Sequence, residues 1–166
     1  MKTITKTIIA SLVFCGAVSS ANSAQVELLG NSLNYYTSFS IDKTHQYSLD
    51  NLPKDAIGLY GTYAVYENSS SLLPKDTLAF MRKSDNLVGA IILNSIDYKC
   101  KNKNPHCYPL ASLDEEIIHY ELKNGFHRVE ISNIKTWLEA YQILSKSKEI
   151  KKFSPSFDLG SEVKAQ

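Results

Sequence analysis

Apolar and polar positions change period once between residues 115 and 144, and that change is the clearest structural signal in the chain. Ile118, Tyr120 and Leu122 alternate with His119 and Glu121, Val129 and Ile131 alternate with Arg128 and Glu130, and Asn124-Gly125 stands between the two runs. Alternation is the period of a half-buried strand, and Asn-Gly tolerates the positive φ that a two-residue type I′ turn needs at both central positions. The pattern therefore predicts a hairpin in which Leu122 faces His127, Tyr120 faces Val129 and Ile118 faces Ile131. One face is then apolar, and the other sets Glu121 against Arg128 and His119 against Glu130, pairs worth roughly 0.2–1 kcal/mol each. Slipping by one residue would bury the charged set. From residue 134 the period becomes helical: Ile134, Trp137, Leu138, Tyr141 and Leu144 make one stripe. Ser132 or Asn133 is placed to cap this helix, and Lys146 and Lys148 suit the negative end of its dipole.

Three earlier segments read as strands. Leu33, Tyr35, Phe39 and Ile41 alternate with polar residues. Residues 56–67, AIGLYGTYAVYE, are too rich in β-branched, aromatic and glycine residues for a stable helix, and Gly58 and Gly61 mark a bulge or bend. Tyr60, Tyr63 and Tyr66 cannot all share one face, so at least one is expected near solvent. Residues 77–83 and 87–94 form a second hairpin around Ser84-Asp85-Asn86. Leu78, Phe80, Ile91 and Leu93 fall on one of its faces and Ala79, Met81, Val88, Ala90 and Ile92 on the other, the mark of a central strand pair covered on both sides. Residues 151–166 lose periodicity and read as a flexible tail. The expected fold is α+β: a mainly antiparallel sheet of five to seven strands, curved or barrel-like, with one C-terminal amphipathic helix. Residues 25–150 are expected to form a single β-rich domain.

Composition changes this picture mainly through its first 24 residues. Lys2 and Lys6, the apolar run from Ile8 to Val18 and the small residues leading to Ala21 and Ala24 read as a signal peptide, too short to span a bilayer. Cys15 ends a Leu-Val-Phe-Cys tetrad resembling a lipobox, with Phe14 where that motif wants a small residue. Removing the segment takes away both lysines and no acid, leaving a formal charge of −1 against +1 for the whole chain. So balanced a charge excludes the net positive field by which nucleic acid or an anionic membrane surface is held. No second hydrophobic span appears, so no transmembrane segment is expected after cleavage. The Lys-, Asn- and Ile-rich composition reads as bacterial. Export to an oxidising compartment makes Cys100 and Cys107 a disulfide pair, worth roughly 2–3 kcal/mol on the chain-entropy model. A metal site is the rival reading, with His106 close by, although the spacing is not C-x-x-C.

Candidate chemistry is sparse. No G-x-S-x-G, H-E-x-x-H or glycine-rich phosphate loop occurs, and no cofactor is implied. His119 with Glu130 would serve as a base with its orienting carboxylate, the plainer reading being a solvated pair on a hairpin face; Glu116 would have to join them for a hydrolase. Asp114-Glu115-Glu116 is an acidic run of the solvated kind.

The loop closed by the cysteines carries Lys101, Lys103, Pro105 and His106, and stiffened loops lose less entropy on docking. Over these eight residues it resembles the cysteine-closed Lys/Pro/His loop that vertebrate-type lysozyme inhibitors of Gram-negative bacteria insert into a lysozyme cleft. The cysteine spacing is longer here and the rest of the chain does not follow, so membership does not follow either. Gly61-Thr62-Tyr63 resembles the Gly-x-Trp start of a lipocalin strand, with Tyr63 in place of Trp. Two functions are thus expected. The first is an exported envelope protein that binds another protein, such as an inhibitor or immunity protein against a wall-directed enzyme, with the loop, Tyr60 and Tyr66 as contact surface. The second is a lipocalin-like carrier with an enclosed pocket lined by Tyr63, Phe80 and Ile91.

Overall fold

The structure, a computed structural model, describes residues 23–68, 70, 72–101 and 107–160. They form β1 (Ser23–Leu28), β2 (Asn31–Tyr36), β3 (Phe39–Asp42), β4 (Gly58–Tyr60), β5 (Tyr63–Glu67), β6 (Thr77–Lys83), β7 (Val88–Cys100), β8 (Ile117–Glu121), β9 (Phe126–Ile131), the helix α1 (Ile134–Lys146) and β10 (Ile150–Asp158). The fold is α+β as expected, a curved sheet with one long helix near its C-terminal end. The sheet is mixed rather than wholly antiparallel, because β4 runs parallel to β7. It does not close: among the described residues β1, β3, β8 and β10 each pair with one strand only.

β7 is the spine. Its first half has β6 on one side, and its second half has β9 there instead. On its other side β4 meets Val88 and Gly89, and β10 follows from Ile91 to Cys100. β7 is thus flanked on both sides, which explains why its apolar residues fall on both faces. Ile92, Ile96 and Tyr98 point into the larger core, under α1, with Val129, Ile131, Trp137 and Leu144. Ile91 points the other way, into a smaller core with Phe80, Phe39, Tyr60 and Val65. Strands β3, β5 and β4 belong to the same sheet as β6 and β7 yet share that core with them, so the sheet curls over itself there.

Four expectations are corrected. The run 33–41 is two strands, with its alternation shifted by one residue at Thr37-Ser38. Leu33 and Tyr35 pack on the larger core, whereas Tyr36, Phe39 and Ile41 pack on the smaller. Residues 56–67 are likewise two strands, turning at Gly61. Leu78 leaves the face of Phe80 for the larger core, because a bulge interrupts the register between Thr77 and Ala79. Finally, residues 150–158, read as a tail, form β10 along β7. Phe153 packs on the larger core and against Tyr141, and Phe157 meets Trp137 edge-on.

The end of β10 is fixed by backbone contact. Gly61 has φ +60°, and the carbonyl of Gly160 occupies the space that a Cβ on Gly61 would fill. Gly30, at φ +77°, has nothing within 4 Å of the same position. Replacing either by alanine incurs the left-handed penalty of about 1 kcal/mol, but only Gly61→Ala must also displace the chain end. In urea unfolding, Gly61→Ala is expected to lose roughly 2–3 kcal/mol and Gly30→Ala about half that; equal losses would show that the Gly61–Gly160 contact does not hold β10.

Candidate binding surfaces

Register decides what β8 exposes. β9 is aligned by β7, through Ile96 opposite Val129 and Tyr98 opposite His127. Asn124 and Gly125 do adopt positive φ, but the loop also takes in Lys123, and Leu122 N–H donates to the Phe126 carbonyl at 2.7 Å. The pairs are Ile117 with Ile131, His119 with Val129 and Glu121 with His127, one residue from the two-residue-turn register. The predicted Glu121–Arg128 and His119–Glu130 pairs do not form. Arg128 instead grips Asp97 on β7 with two hydrogen bonds of 2.7 and 2.9 Å, and Glu130 accepts from Tyr120 Oη at 3.2 Å.

The slip turns a half-buried His119 to the core side, beside the buried His127. His119 Nε2 lies 3.1 Å from His127 Nδ1 and 3.2 Å from Tyr98 Oη, and Tyr108 stacks on His119 with ring centres 4.7 Å apart. Tyr108 follows Cys107, so this stack sits against the disulfide, which the structure shows with its sulfurs 2.04 Å apart. Burial first, and the neighbouring His127 second, hold His119 below the usual histidine range, against the opposing pull of Glu121 and Asp114. Burial, then the hydrogen bond to Asp114, pushes Tyr108 up to about 12.

The slip also exposes an apolar row. Ile118 is 58% exposed, Tyr120 41% and Leu122 40%, all on the face of the edge strand β8 away from α1. Beside them lie the Arg128–Asp97 pair and Phe126, over whose ring Lys99 Nζ stands at 4.7 Å.

A second surface opens on the helix side. At 1.5 Å per residue, α1 is about 20 Å long, whereas β7 runs about 43 Å at 3.3 Å per residue. The helix therefore stops short of the start of β7, where Val88 is 46% exposed. A groove of about 350 Å³ results, floored by Met81, Ala90 and Ile92 and walled by Trp137, Tyr141 and Phe157 on one side and Leu28, Leu29 and Leu33 on the other. Leu29, Val88, Phe157 and Leu159 border it and are 54%, 46%, 44% and 65% exposed.

The sequence-predicted site residues are scattered. Lys101 is exposed at the end of β7, whereas Lys103, Pro105 and His106 lie outside the described residues, as do Cys15 and the signal segment 1–22. Tyr60 is 9% exposed, and its phenol is raised by burial and then by a hydrogen bond to Asp158. Tyr66 is half-buried on β5. Both tyrosines belong to the end of the sheet where Tyr60 pairs with Gly89, about 40 Å along β7 from Lys101. The enclosed pocket expected at Tyr63, Phe80 and Ile91 is filled core, with Phe80 at 0% and Ile91 at 5% exposure. His119, Glu130 and Glu116 do not converge, Glu116 accepting instead from Thr136 Oγ1. Among the described residues no group of three or more His, Cys, Asp or Glu is placed to hold a metal ion, and no helix is long and apolar enough to cross a membrane. Comparison with protein-family models, curated proteins and solved structures finds no match to this chain.

Because folding lowers the His119 pKa, the unfolded chain takes up the proton first as pH falls. The stability tied to His119 is whole above the unfolded value of about 6.5 and declines below it. Thermal midpoints should fall between pH 7 and pH 5, and His119→Gln should flatten that part of the profile; parallel profiles would remove His119 from the account.

Proposed function

We propose that the chain is an exported protein of the bacterial envelope that recognises another protein, docking it on the face of β8, β9 and the second half of β7. The observation that carries this reading is the exposed row of Ile118, Tyr120 and Leu122. Local patterning would bury these residues, and the fold turns them to solvent at a cost in apolar exposure that the isolated chain does not recover. Their neighbours are of interface type: Phe126 and Arg128 add an aromatic ring and a forked guanidinium. Among the described residues the outer edge of β8 pairs with no strand, and it offers a partner strand its backbone groups as well. Lys99 pairs with Phe126, so Cys100 and Lys101 end β7 on the side of the turn of residues 123–125. An inhibitor or immunity role against a wall-directed enzyme is the form of recognition that the stapled loop favours.

Export accounts for the disulfide, and β1 bears on the cleavage position. Ser23 and Ala24 pair with Tyr36 and Tyr35, so cleavage after Ala24 would strip two pairs from the strand, whereas cleavage after Ala21 leaves it whole. Mass spectrometry of the exported protein should therefore find Asn22 at its N-terminus; a chain starting at Gln25 would contradict this.

Docking is tested by replacing Tyr120 with a photoreactive phenylalanine analogue in cells, with Leu72, 97% exposed elsewhere, as control position. A discrete adduct with another protein should form from position 120, be missing from position 72, and disappear in Ile118→Ser/Leu122→Ser, whose melting temperature should match wild type. Identical products from both positions would overturn the reading.

A further inference from the structure

The groove beside α1 lies on the opposite side of the sheet from the proposed docking face and has features that the fold itself does not need. Leu29 occupies the first position of the β1–β2 turn at φ +50°, ahead of Gly30, where asparagine would suit the backbone better. A leucine held in that conformation and left 54% exposed gains nothing in the isolated chain, yet it forms one lip of the groove. Trp137, 0% exposed, lies beneath the opposite wall, stacked on Tyr141 with ring centres 5.4 Å apart, and its Nε1 is buried without an acceptor among the described residues.

Charge selects the occupant. Lys83 lies directly opposite Leu33 in the β6–β2 ladder, hence on the groove side, and belongs to neither of the ion pairs found among the described residues. Arg82 also lines the groove and keeps its charge, but its donors are held elsewhere, Nε on the Ile57 carbonyl at 2.6 Å and Nη1 on the carbonyls of Lys83 and Asn86. An apolar trough with one uncommitted ammonium at its rim is complementary to a single alkyl chain ending in a carboxylate. We infer that this groove binds a medium-chain fatty carboxylate, its chain between Leu29, Tyr141 and Phe157 and its head against Lys83.

Trp137 is the only tryptophan, so its fluorescence reports the groove directly. The purified protein is titrated with sodium dodecanoate and with dodecanol, both below the concentrations at which they aggregate. Dodecanoate should give a saturable change, and dodecanol one about tenfold weaker. Lys83→Met should bring dodecanoate down to the level of dodecanol while leaving dodecanol binding and the melting temperature unchanged. Leu29→Asn should raise the melting temperature, since it relieves the turn, and weaken both probes several-fold. No saturable change with either probe would overturn the proposal, as would acid and alcohol binding equally and indifferently to Lys83. Sedimentation of wild type as a dimer that Leu29→Asn dissociates would also overturn it, by assigning the groove to a second copy.

Discussion

The pairing of His119 with Val129 and of Ile117 with Ile131 decides which side chains of β8 are spent on the core and which are shown to solvent. β8 begins with two adjacent isoleucines, so either register gives the core one of them. The register adopted places Ile117 there, packed beside Leu113 and Val129. It also assembles the Tyr98, His127, His119 and Tyr108 stack against the disulfide. The same choice leaves Ile118, Tyr120 and Leu122 outside. Core and exposed face thus have one cause, and neither is adjustable without the other, because a strand slips by whole residues and inverts every side chain when it does.

A second constraint is one of length. One 13-residue helix cannot cover a 13-residue strand, because a strand rises more than twice as far per residue. The protein covers the second half of β7 with α1 and lets the sheet curl to enclose a smaller core around Phe80 and Ile91. The groove lies on the helix side, where α1 stops short. Docking face and groove therefore lie on opposite sides of one sheet, and both follow from how a long central strand is shared among short neighbours.

Much of this was legible in the residues. The helix and its stripe follow from spacing alone, and of the two cap candidates, Ser132 and Asn133, it is Asn133 that accepts from Thr136 N–H at 2.9 Å. The 77–83 strand with its turn, the two-faced character of β7 and the disulfide were legible as well. What sequence could not carry were events of a single residue: the phase shift at Thr37-Ser38, the bulge at Leu78, and the third loop residue, Lys123, in the hairpin. Each moves apolar side chains to the other face without altering the pattern from which the faces are read. The docking of β10 is not legible because it rests on a backbone ladder along β7, and its end is fixed by two glycine backbones, neither of which leaves an apolar period. The one local hint of the groove was Leu29-Gly30, a turn dipeptide whose first member ill suits the positive φ it adopts.

The hairpin register is the claim on which the rest stands, and interstrand nuclear Overhauser contacts across β8 and β9 read it directly. The account predicts backbone contacts between His119 and Val129 and between Ile117 and Ile131. Contacts linking Tyr120 to Val129 and Ile118 to Ile131 would place the apolar row inside and contradict it.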